Sequence, residues 1–337
     1  MRRSRTALLG TAGVTVMLFA ASTGEAYASP DTTDMTMVNV VKVKGIPWFN
    51  RMAVGDENFA TRTGVRTSQE GADDTSPQKQ VQLIAELIPR HPTAITVVPN
   101  SVEAVEDVLG QARAQGITVV SHEATGIQNA DIDIEAFDNA AFGRQTMQSL
   151  AQCMGGQGDY VQFVGSVTMT THMQWVDAAH DMQLAEFPGM NRVEGPVETA
   201  NDEQTAYAKA NEILAKYPNL KGFQGAASTD VPGIARAVRD AGLQDRICVV
   251  GTAVPSVASP YFTDGSIDKI FFWDPAMAGE AQLQTALMLT QGEPIQMGTN
   301  LNVPGYESLT KLDGYDNVFV GDAALEADAN TISQYHF

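Results

Sequence analysis

Short apolar runs alternate with amphipathic segments along most of the chain. The runs are nearly continuous and rich in β-branched and aromatic residues, which is typical of strands covered by helices on both faces of a parallel sheet. Between them, apolar residues recur at three- and four-residue spacing, which indicates helices. The predicted strands cover residues 38–43, 94–98, 117–121, 160–164, 222–225, 247–251 and 269–272. The clearest predicted helices cover residues 78–88, 102–115 and 276–290.

The order of these elements predicts the fold class. Strands and helices alternate up to Glu123, and the same order recurs from Tyr160 onward. We therefore predict an α/β fold with two doubly wound parallel-sheet lobes. In open parallel sheets, ligands bind beyond the carboxyl ends of the strands, so the residues directly after each strand are the candidate site residues.

The beginning of the chain has the pattern of an export signal. Three arginines within the first five residues precede an apolar run at 7–21, and small residues follow it at 26–28. The run is too short to span a bilayer, so we predict that residues 1–28 are a signal peptide, cleaved before about Ser29. This pattern predicts a periplasmic protein, with an uncleaved membrane anchor as the alternative.

Composition and charge narrow the possible functions. The chain has 337 residues, of which 44% are hydrophobic and 18% are charged, as in a folded soluble protein of about two domains. Its formal net charge of −19 repels phosphate backbones, so no nucleic-acid partner is expected. Cys153 and Cys248 are too few for a four-thiolate zinc site, and the sequence leaves open whether they form a disulfide.

Candidate ligand-binding residues follow two strands of the first predicted lobe. Lys42, Trp48 and Phe49 come after the first strand, and Glu123 comes after the strand at 117–121. Aromatic faces pack against the apolar C–H faces of a sugar ring, while a carboxylate accepts hydrogen bonds from hydroxyls and a lysine donates them. As alternatives, either aromatic residue is part of the core and Glu123 is a solvated loop charge.

The strand ends of the second predicted lobe carry further candidates. Thr171 and His172 lie at the first turn of a helix, where free backbone N–H groups face the cleft. Trp175 has the helical spacing of a core residue.

Two acidic residues of this lobe have a competing structural explanation. Ser228 and Asp230 follow the strand at 222–225, and Trp273 and Asp274 follow the strand at 269–272. Asp230 and Asp274 each precede a helix, so a helix cap is the alternative to ligand contact for both.

Enzymatic functions have little support in the sequence. The chain contains no nucleophile elbow, phosphate-binding loop or zinc-protease motif. His122, Glu123 and His172 are the only set of residues that could form a metal or catalytic centre. We therefore expect no catalytic residues, no metal and no cofactor.

Four stretches of the chain resemble one known family. They are residues 42–49 (KVKGIPWF), 172–176 (HMQWV), 271–275 (FFWDP) and 333–337 (SQYHF). In this order they are similar to the ribose-type periplasmic sugar-binding proteins of ABC importers, and in particular to the branch that binds autoinducer-2 and rhamnose.

The resemblance implies a fold of two lobes joined by a three-crossing hinge, with one ligand in the interlobe cleft. The crossings are expected near Glu135, Pro275 and Val303. The implied segments are residues 37–135 plus 276–302 for the N-terminal lobe and residues 136–275 plus 303–337 for the C-terminal lobe.

The resemblance also implies roles for several strand-end residues. Lys42 corresponds to a lysine that donates to ligand oxygens, Trp48 and Phe49 to an aromatic wall, and Glu123 to an aspartate of the family. Ser228 falls at a position where the family contacts its ligand through the backbone, and Trp273 falls at a position that lines the family's binding site.

Two differences from the sequence pattern of the family argue against assigning a relative's ligand to this chain. Thr171 and His172 stand where the autoinducer binders have Asp-Gln, and the arginine that ribose binders place after the cleft aspartate is absent beside Glu123.

Together these observations predict a monomeric extracytoplasmic protein. We expect it to capture a small neutral sugar or polyol and deliver it to an ABC permease in the inner membrane by hinge closure. A sensory protein that presents the ligand to a chemoreceptor or kinase is the alternative, and a secreted carbohydrate-modifying enzyme has less support.

Overall fold

The computed structural model describes residues 32–337. The predicted signal peptide, residues 1–28, lies outside these residues. Within them the chain forms two sheets that are each covered by helices, as predicted. Over this same range, none of the helices is both long enough and apolar enough to cross a bilayer.

The first lobe is built from the beginning of the described chain and from a later segment. Its elements are β1 (Thr36–Val41), α1 (Pro47–Thr63), β2 (Arg66–Gly71), α2 (Pro77–Leu87), β3 (Ala94–Val97), α3 (Val102–Ala114), β4 (Thr118–Ser121), β5 (Ile132–Glu135), and later α9 (Pro275–Thr290), β11 (Thr310–Lys311) and β12 (Val318–Val320). The strand order is β11-β12-β5-β4-β3-β1-β2, and only β11 is antiparallel to its neighbour.

The second lobe repeats this design. Its elements are α4 (Asn139–Met154), β6 (Gln157–Val164), α5 (Thr170–Glu186), β7 (Gly189–Glu198), α6 (Glu203–Lys216), β8 (Leu220–Gly225), α7 (Asp230–Asp240), β9 (Cys248–Thr252), α8 (Pro255–Thr263), β10 (Lys269–Phe272) and β13 (Leu325–Ala327). The strand order is β13-β10-β9-β8-β6-β7, with β13 antiparallel to β10.

Local sequence explains where the predicted helices begin. The Ser76 hydroxyl accepts a hydrogen bond from the backbone N–H of Lys79 and starts α2, and Ser101 starts α3 in the same way. Pro275 occupies the first turn of α9, where its missing N–H has no intrahelical partner to lose. The bounds of these three helices agree with the sequence prediction to within one residue.

The packing of α1 against α9 fixes the position of the first turn of α1. Gly55 lies so close to α9 that a Cβ atom there would be 1.9 Å from the carbonyl oxygen of Ala276. This close approach requires glycine and places the first turn of α1, with Trp48, beside the segment that joins β10 to α9.

The third connection between the lobes differs from the expectation. The chain leaves the first sheet after Glu135, returns after Phe272 and leaves again after Val320, because β12 pairs with β5 in the first sheet. The crossing expected near Val303 therefore lies later, and the segment containing β11 and β12 belongs to the first lobe. These strands have two and three residues, which is too short for a periodic pattern to identify.

Cys153 and Cys248 form a disulfide bond in the second lobe. Cys153 is in the last turn of α4 and Cys248 is the first residue of β9. The bond joins the helix to the amino end of a central strand, at the opposite end of β9 from the strand ends that face the first lobe.

Candidate functional site

A narrow cavity, with about 20 Å³ of free space for a water-sized molecule, lies between the lobes at the carboxyl ends of their strands. The first lobe contributes Lys42, Ile46, Trp48, Phe49 and Glu123 to its wall. The second lobe contributes His172, Trp175, Asn201, residues 226–228 and Thr252, and Trp273 lies in the second crossing.

Lys42 and Glu123 form a buried ion pair in the first lobe. Lys42 directly follows β1 and Glu123 follows β4, and the Lys42 ammonium donates a hydrogen bond to Glu123 Oε2. Their side chains are only 2% and 5% exposed. Glu123 has a φ of 54°, which is uncommon for a residue other than glycine. The pair supplies charged groups for hydrogen bonding while adding no net charge to the cavity.

The surrounding charges keep Glu123 ionised. Burial raises the pKa of Glu123, but the positive charge of Lys42 and the hydrogen bond from Lys42 outweigh burial and hold the pKa below its ordinary value. His122 is oriented by a 2.6 Å hydrogen bond from its Nδ1 to the carbonyl oxygen of Ile134. A carbonyl only accepts, so Nδ1 carries a proton, and Nε2 lies 3.9 Å from Glu123 Oε1.

Three aromatic side chains meet at the wall of the cavity. The rings of Trp48 and Trp273 have centroids 4.6 Å apart and cross at 75°, and Trp175 lies 5.7 Å from Trp273. Trp175 Nε1 donates a 2.8 Å hydrogen bond to Asn139 Oδ1 and is therefore occupied, whereas Trp273 Nε1 is buried and has no partner among the described residues. The cavity thus combines apolar ring surface with one free hydrogen-bond donor.

His172 is a neutral donor in the second lobe. Its Nδ1 accepts a 3.2 Å hydrogen bond from the backbone N–H of Gly165, so the proton of the neutral ring is on Nε2. Burial and then the charge of Lys42 lower the pKa of His172 to about 3. The ring therefore stays uncharged at physiological pH and offers Nε2–H to a ligand.

Asp230 supports the cavity wall from behind. Its Oδ1 accepts a 2.6 Å hydrogen bond from the Thr199 hydroxyl, and its Oδ2 accepts a 2.8 Å bond from the backbone N–H of Ala227. Burial raises the pKa of Asp230 to about 7, although these hydrogen bonds oppose the shift. Asp230 does not line the cavity, but it ties the loop that presents Ser228 to the loop after β7.

Two further predicted site residues also lie outside the cavity wall. Asp274 caps α9 through a 2.9 Å hydrogen bond from the backbone N–H of Ala276 and forms an ion pair with Arg51, which matches the capping alternative. Thr171 is buried with its hydroxyl unpaired, but its neighbour His172 is the residue that reaches the cavity.

Sequence reasoning missed several residues of the wall. Asn201 and Thr252 come from the ends of β7 and β9, and β7 was not predicted because it is broken by glycine, proline and charged residues. Thr252 directly follows the predicted strand at 247–251, so inspection of the residue after that strand identifies it. Trp175 lines the cavity although its spacing is that of a core residue. The remaining predicted residues in the wall are Lys42, Trp48, Phe49, Glu123, His172, Ser228 and Trp273.

Comparisons with solved structures agree with this architecture. The structure of LsrB from Clostridium saccharobutylicum in complex with AI-2 superposes with a TM-score of 0.83 at 19% identity, covering 90% of this chain and 100% of that one. An ABC transporter solute-binding protein from Clostridium phytofermentas with bound L-rhamnose also has a TM-score of 0.83 at 19% identity, covering 89% and 98% of the two chains. At this identity the similarity establishes the fold.

Sequence comparisons establish the family. The D-apiose import binding protein of Paraburkholderia graminis is 29% identical over 181 residues, which cover 52% of this chain and only 56% of that protein. The D-ribose/D-allose-binding protein of Pseudomonas aeruginosa is 25% identical over 228 residues, covering 66% and 70% of the two chains. The model of the periplasmic binding protein domain matches residues 37–294. Because this match covers most of the chain, the protein belongs to the periplasmic binding protein family, whose members here bind solutes rather than transform them.

Proposed function

We propose that this protein is an extracytoplasmic solute-binding protein that captures a small neutral sugar or polyol in the interlobe cavity and delivers it to an ABC permease. The observation that carries the proposal is the composition of the cavity wall. It combines the rings of Trp48 and Trp273 with the hydrogen-bonding groups of Lys42, Glu123 and His172. Flat apolar surface beside several donors and acceptors matches a sugar ring, which has apolar C–H faces and a rim of hydroxyls.

The charges of the cavity favour a neutral ligand. Lys42 and Glu123 neutralise each other, and His172 is uncharged. An anionic sugar acid or sugar phosphate would find no unpaired cation there and would be repelled by the negative charge of the protein as a whole. Uncharged pentoses, hexoses, deoxyhexoses and sugar alcohols carry no such penalty.

Contacts across the mouth of the cleft support a closure mechanism. The Thr168 hydroxyl, from the loop before α5, donates a 3.2 Å hydrogen bond to the backbone carbonyl of Asn100 in the first lobe. We propose that these lobes separate at the three crossings and close on the ligand. A ligand shifts this equilibrium only by its greater affinity for the closed form, and contacts to both walls of the cavity provide that difference.

The decisive experiment is a ligand screen on the mature protein. The panel contains sugars found with relatives, namely D-apiose, D-ribose, D-allose, D-xylose, L-rhamnose, D-arabinose and D-tagatose, together with xylitol, sorbitol and the anionic control D-ribose 5-phosphate. A sugar present at about 100 times its Kd stabilises the folded state by about 2.7 kcal/mol and raises Tm. The sugar that raises Tm most is then titrated into the protein by isothermal titration calorimetry to measure binding. Small-angle scattering of the protein with and without that sugar tests for compaction. The proposal fails if no neutral member raises Tm, or if the phosphate raises Tm most.

The cellular role needs a separate test. We propose a periplasmic monomer that acts with an inner-membrane permease, since the family match and the predicted export signal both support export. Deleting the gene should abolish uptake of the radiolabelled sugar. Loss of chemotaxis toward that sugar with unchanged uptake would favour the sensory alternative instead. Light scattering of the purified protein checks the monomeric state.

A further inference from the structure

Asn201 is an unusual feature of the second-lobe wall. It lies between β7 and α6, is 6% exposed and lines the interlobe cavity. Its Oδ1 atom is fully buried and accepts no hydrogen bond from any residue in the range 32–337. A buried acceptor without a partner is costly, so native proteins retain one mainly where another molecule pairs with it.

The backbone at Asn201 is fixed in a left-handed conformation. Asn201 and the preceding Ala200 have φ values of 52° and 55°, both in the left-handed region. The loop is fixed by hydrogen bonds from Thr199 N to Val164 O at 2.9 Å and from Ala200 N to Gly165 O at 2.8 Å. Thr199 is also bonded to Asp230, so the loop has little freedom. Strained backbone of this kind is concentrated at ligand-binding sites.

The side chain of Asn201 is positioned by a glycine at the end of β6. A Cβ atom on Gly165 would lie 2.0 Å from Asn201 Oδ1. The absence of a side chain at this strand end is therefore what allows the carboxamide to occupy its place. The carboxamide is pre-organised, which lowers the entropy lost when it binds a ligand.

A complementary unpaired group belongs to another residue that lines the same cavity. Trp273 Nε1 is a buried donor without a partner, and Asn201 Oδ1 is a buried acceptor without one. A hydroxylated ligand satisfies both, because it offers a proton to one group and an oxygen lone pair to the other. A fully ionised carboxylate or phosphate has no proton to give to Asn201.

We infer that Asn201 is a specificity-determining residue of the second lobe, whose carboxamide oxygen accepts a hydrogen bond from a ligand hydroxyl. This inference rests on the proposed function and narrows it. It requires a ligand that donates a hydroxyl proton at this wall, and it makes the selection of neutral polyols a property of Asn201 as well as of the Lys42–Glu123 pair.

Two glycine substitutions separate ligand contact from backbone effects. Asn201→Gly removes the carboxamide, while glycine accepts the left-handed φ without strain. Ala200→Gly makes the same backbone change at the adjacent, exposed position and removes only a methyl group. Titrations use the member of the neutral sugar panel that raises the wild-type Tm most. We expect Asn201→Gly to raise its Kd about 10-fold or more, since an unpaired ligand hydroxyl is left in the closed cavity. Ala200→Gly should leave Kd unchanged.

Analogues of the bound sugar identify the hydroxyl concerned. Each monodeoxy analogue of that sugar is titrated against the wild type and Asn201→Gly. The analogue that lacks the paired hydroxyl should bind both proteins with similar Kd, whereas the others should retain the difference. Asn201→Asp keeps an acceptor and a side chain that tolerates this φ, and we expect it to bind more tightly than Asn201→Gly.

The outcomes separate this inference from the function on which it rests. If a panel sugar binds the wild type and Asn201→Gly with equal Kd, the inference is overturned and the proposed function stands. If Ala200→Gly weakens binding as much as Asn201→Gly, the backbone rather than the carboxamide is responsible, which also overturns it. If no neutral panel sugar binds the wild type, the proposed function fails and the inference falls with it.

Discussion

Arg51 of α1 and Asp274, which caps α9, are joined by two parallel hydrogen bonds. The Nε–Oδ1 distance is 2.9 Å and the Nη2–Oδ2 distance is 2.6 Å. The Arg51 guanidinium also lies 4.8 Å from the centre of the Phe337 ring. Phe337 belongs to the second lobe, because its carbonyl accepts a hydrogen bond from the backbone N–H of Ser256 in α8. Arg51 therefore links the first lobe to a crossing and to the surface of the second lobe. It lies one helical turn from Trp48 in α1.

Replacing Arg51 should weaken ligand binding by disfavouring the closed form. Arg51→Lys keeps the charge but loses the two-point pairing and the flat stacking surface. Because the pair is partly exposed, we expect a loss of roughly 1 kcal/mol in binding free energy, measured by titration. Arg62→Lys is the matched control, since Arg62 is on the same helix but contacts Glu280 and Gln284 of α9, within the first lobe. Equal effects of the two variants would contradict a role between the lobes.

Removing the charge of Glu123 should destabilise the protein strongly. Glu123→Gln leaves the Lys42 ammonium buried without a counter-charge, which costs about 3–5 kcal/mol of the free energy of unfolding. Urea unfolding monitored by circular dichroism measures the change. The exposed pair of Lys79 with Asp73 provides the comparison, and Asp73→Asn should leave the unfolding midpoint unchanged. A Glu123→Gln midpoint equal to that of the wild type would show that the pair contributes little.

Trp48 should contribute to binding as well as to folding. Trp48→Ala removes a ring that is 4% exposed and lines the cavity, so we expect both lower stability and a Kd at least 10-fold higher. Phe59→Ala, on the same helix, removes a fully buried ring outside the cavity wall. It should lower Tm without changing Kd. The three tryptophans of the chain all line the cavity, so a change in intrinsic fluorescence should accompany sugar binding.

The buried carboxyl of Asp230 should make stability depend on pH. Its pKa in the folded state, about 7, is above the ordinary value of 3.8. The folded state therefore binds more protons than the unfolded state between these values, and the contribution of this group to stability is lost as pH rises from about 4 to 7. Asp230→Asn should flatten this part of the profile and be more stable than the wild type at pH 8.

Urea unfolding at pH 5, 6, 7 and 8 measures that profile. Asp56, whose pKa burial also raises to about 7, lies in the other lobe, and Asp56→Asn should flatten the profile independently. An Asp230→Asn profile parallel to that of the wild type would contradict the assignment.

The Cys153–Cys248 bond should stabilise the fold without contributing to binding. It spans 95 residues of the chain, and its loss should cost about 2–5 kcal/mol of the free energy of unfolding. The double variant Cys153→Ala/Cys248→Ala should unfold at lower urea but bind sugar with the wild-type Kd, because neither cysteine lines the cavity. A thiol assay on denatured, unreduced protein should detect no free thiol in the wild type. A raised Kd in the double variant at low temperature would show coupling to the site.

The strands that sequence patterns predicted are mostly apolar and buried. β3, β9 and β10 are apolar throughout or nearly so, and their ends gave candidate site residues such as Trp273. The edge strand β2 has the sequence RTSQEG and is buried at only one position, so it carries no apolar signal. A strand at the edge of a sheet packs fewer neighbours and tolerates polar residues, which removes the pattern that would reveal it.

Sequence by itself determined the α/β class, the strand ends that carry the candidate site residues, and the chemistry available there, because these depend on local periodicity and residue type. Tertiary structure decided which of those residues meet. Asp274 is occupied by Arg51, which is 223 residues away along the chain, while Asn201 reaches the cavity from a loop with no recognisable pattern. Such contacts are made by tertiary packing, and the distance between groups far apart in the sequence has no counterpart in the local order of residues.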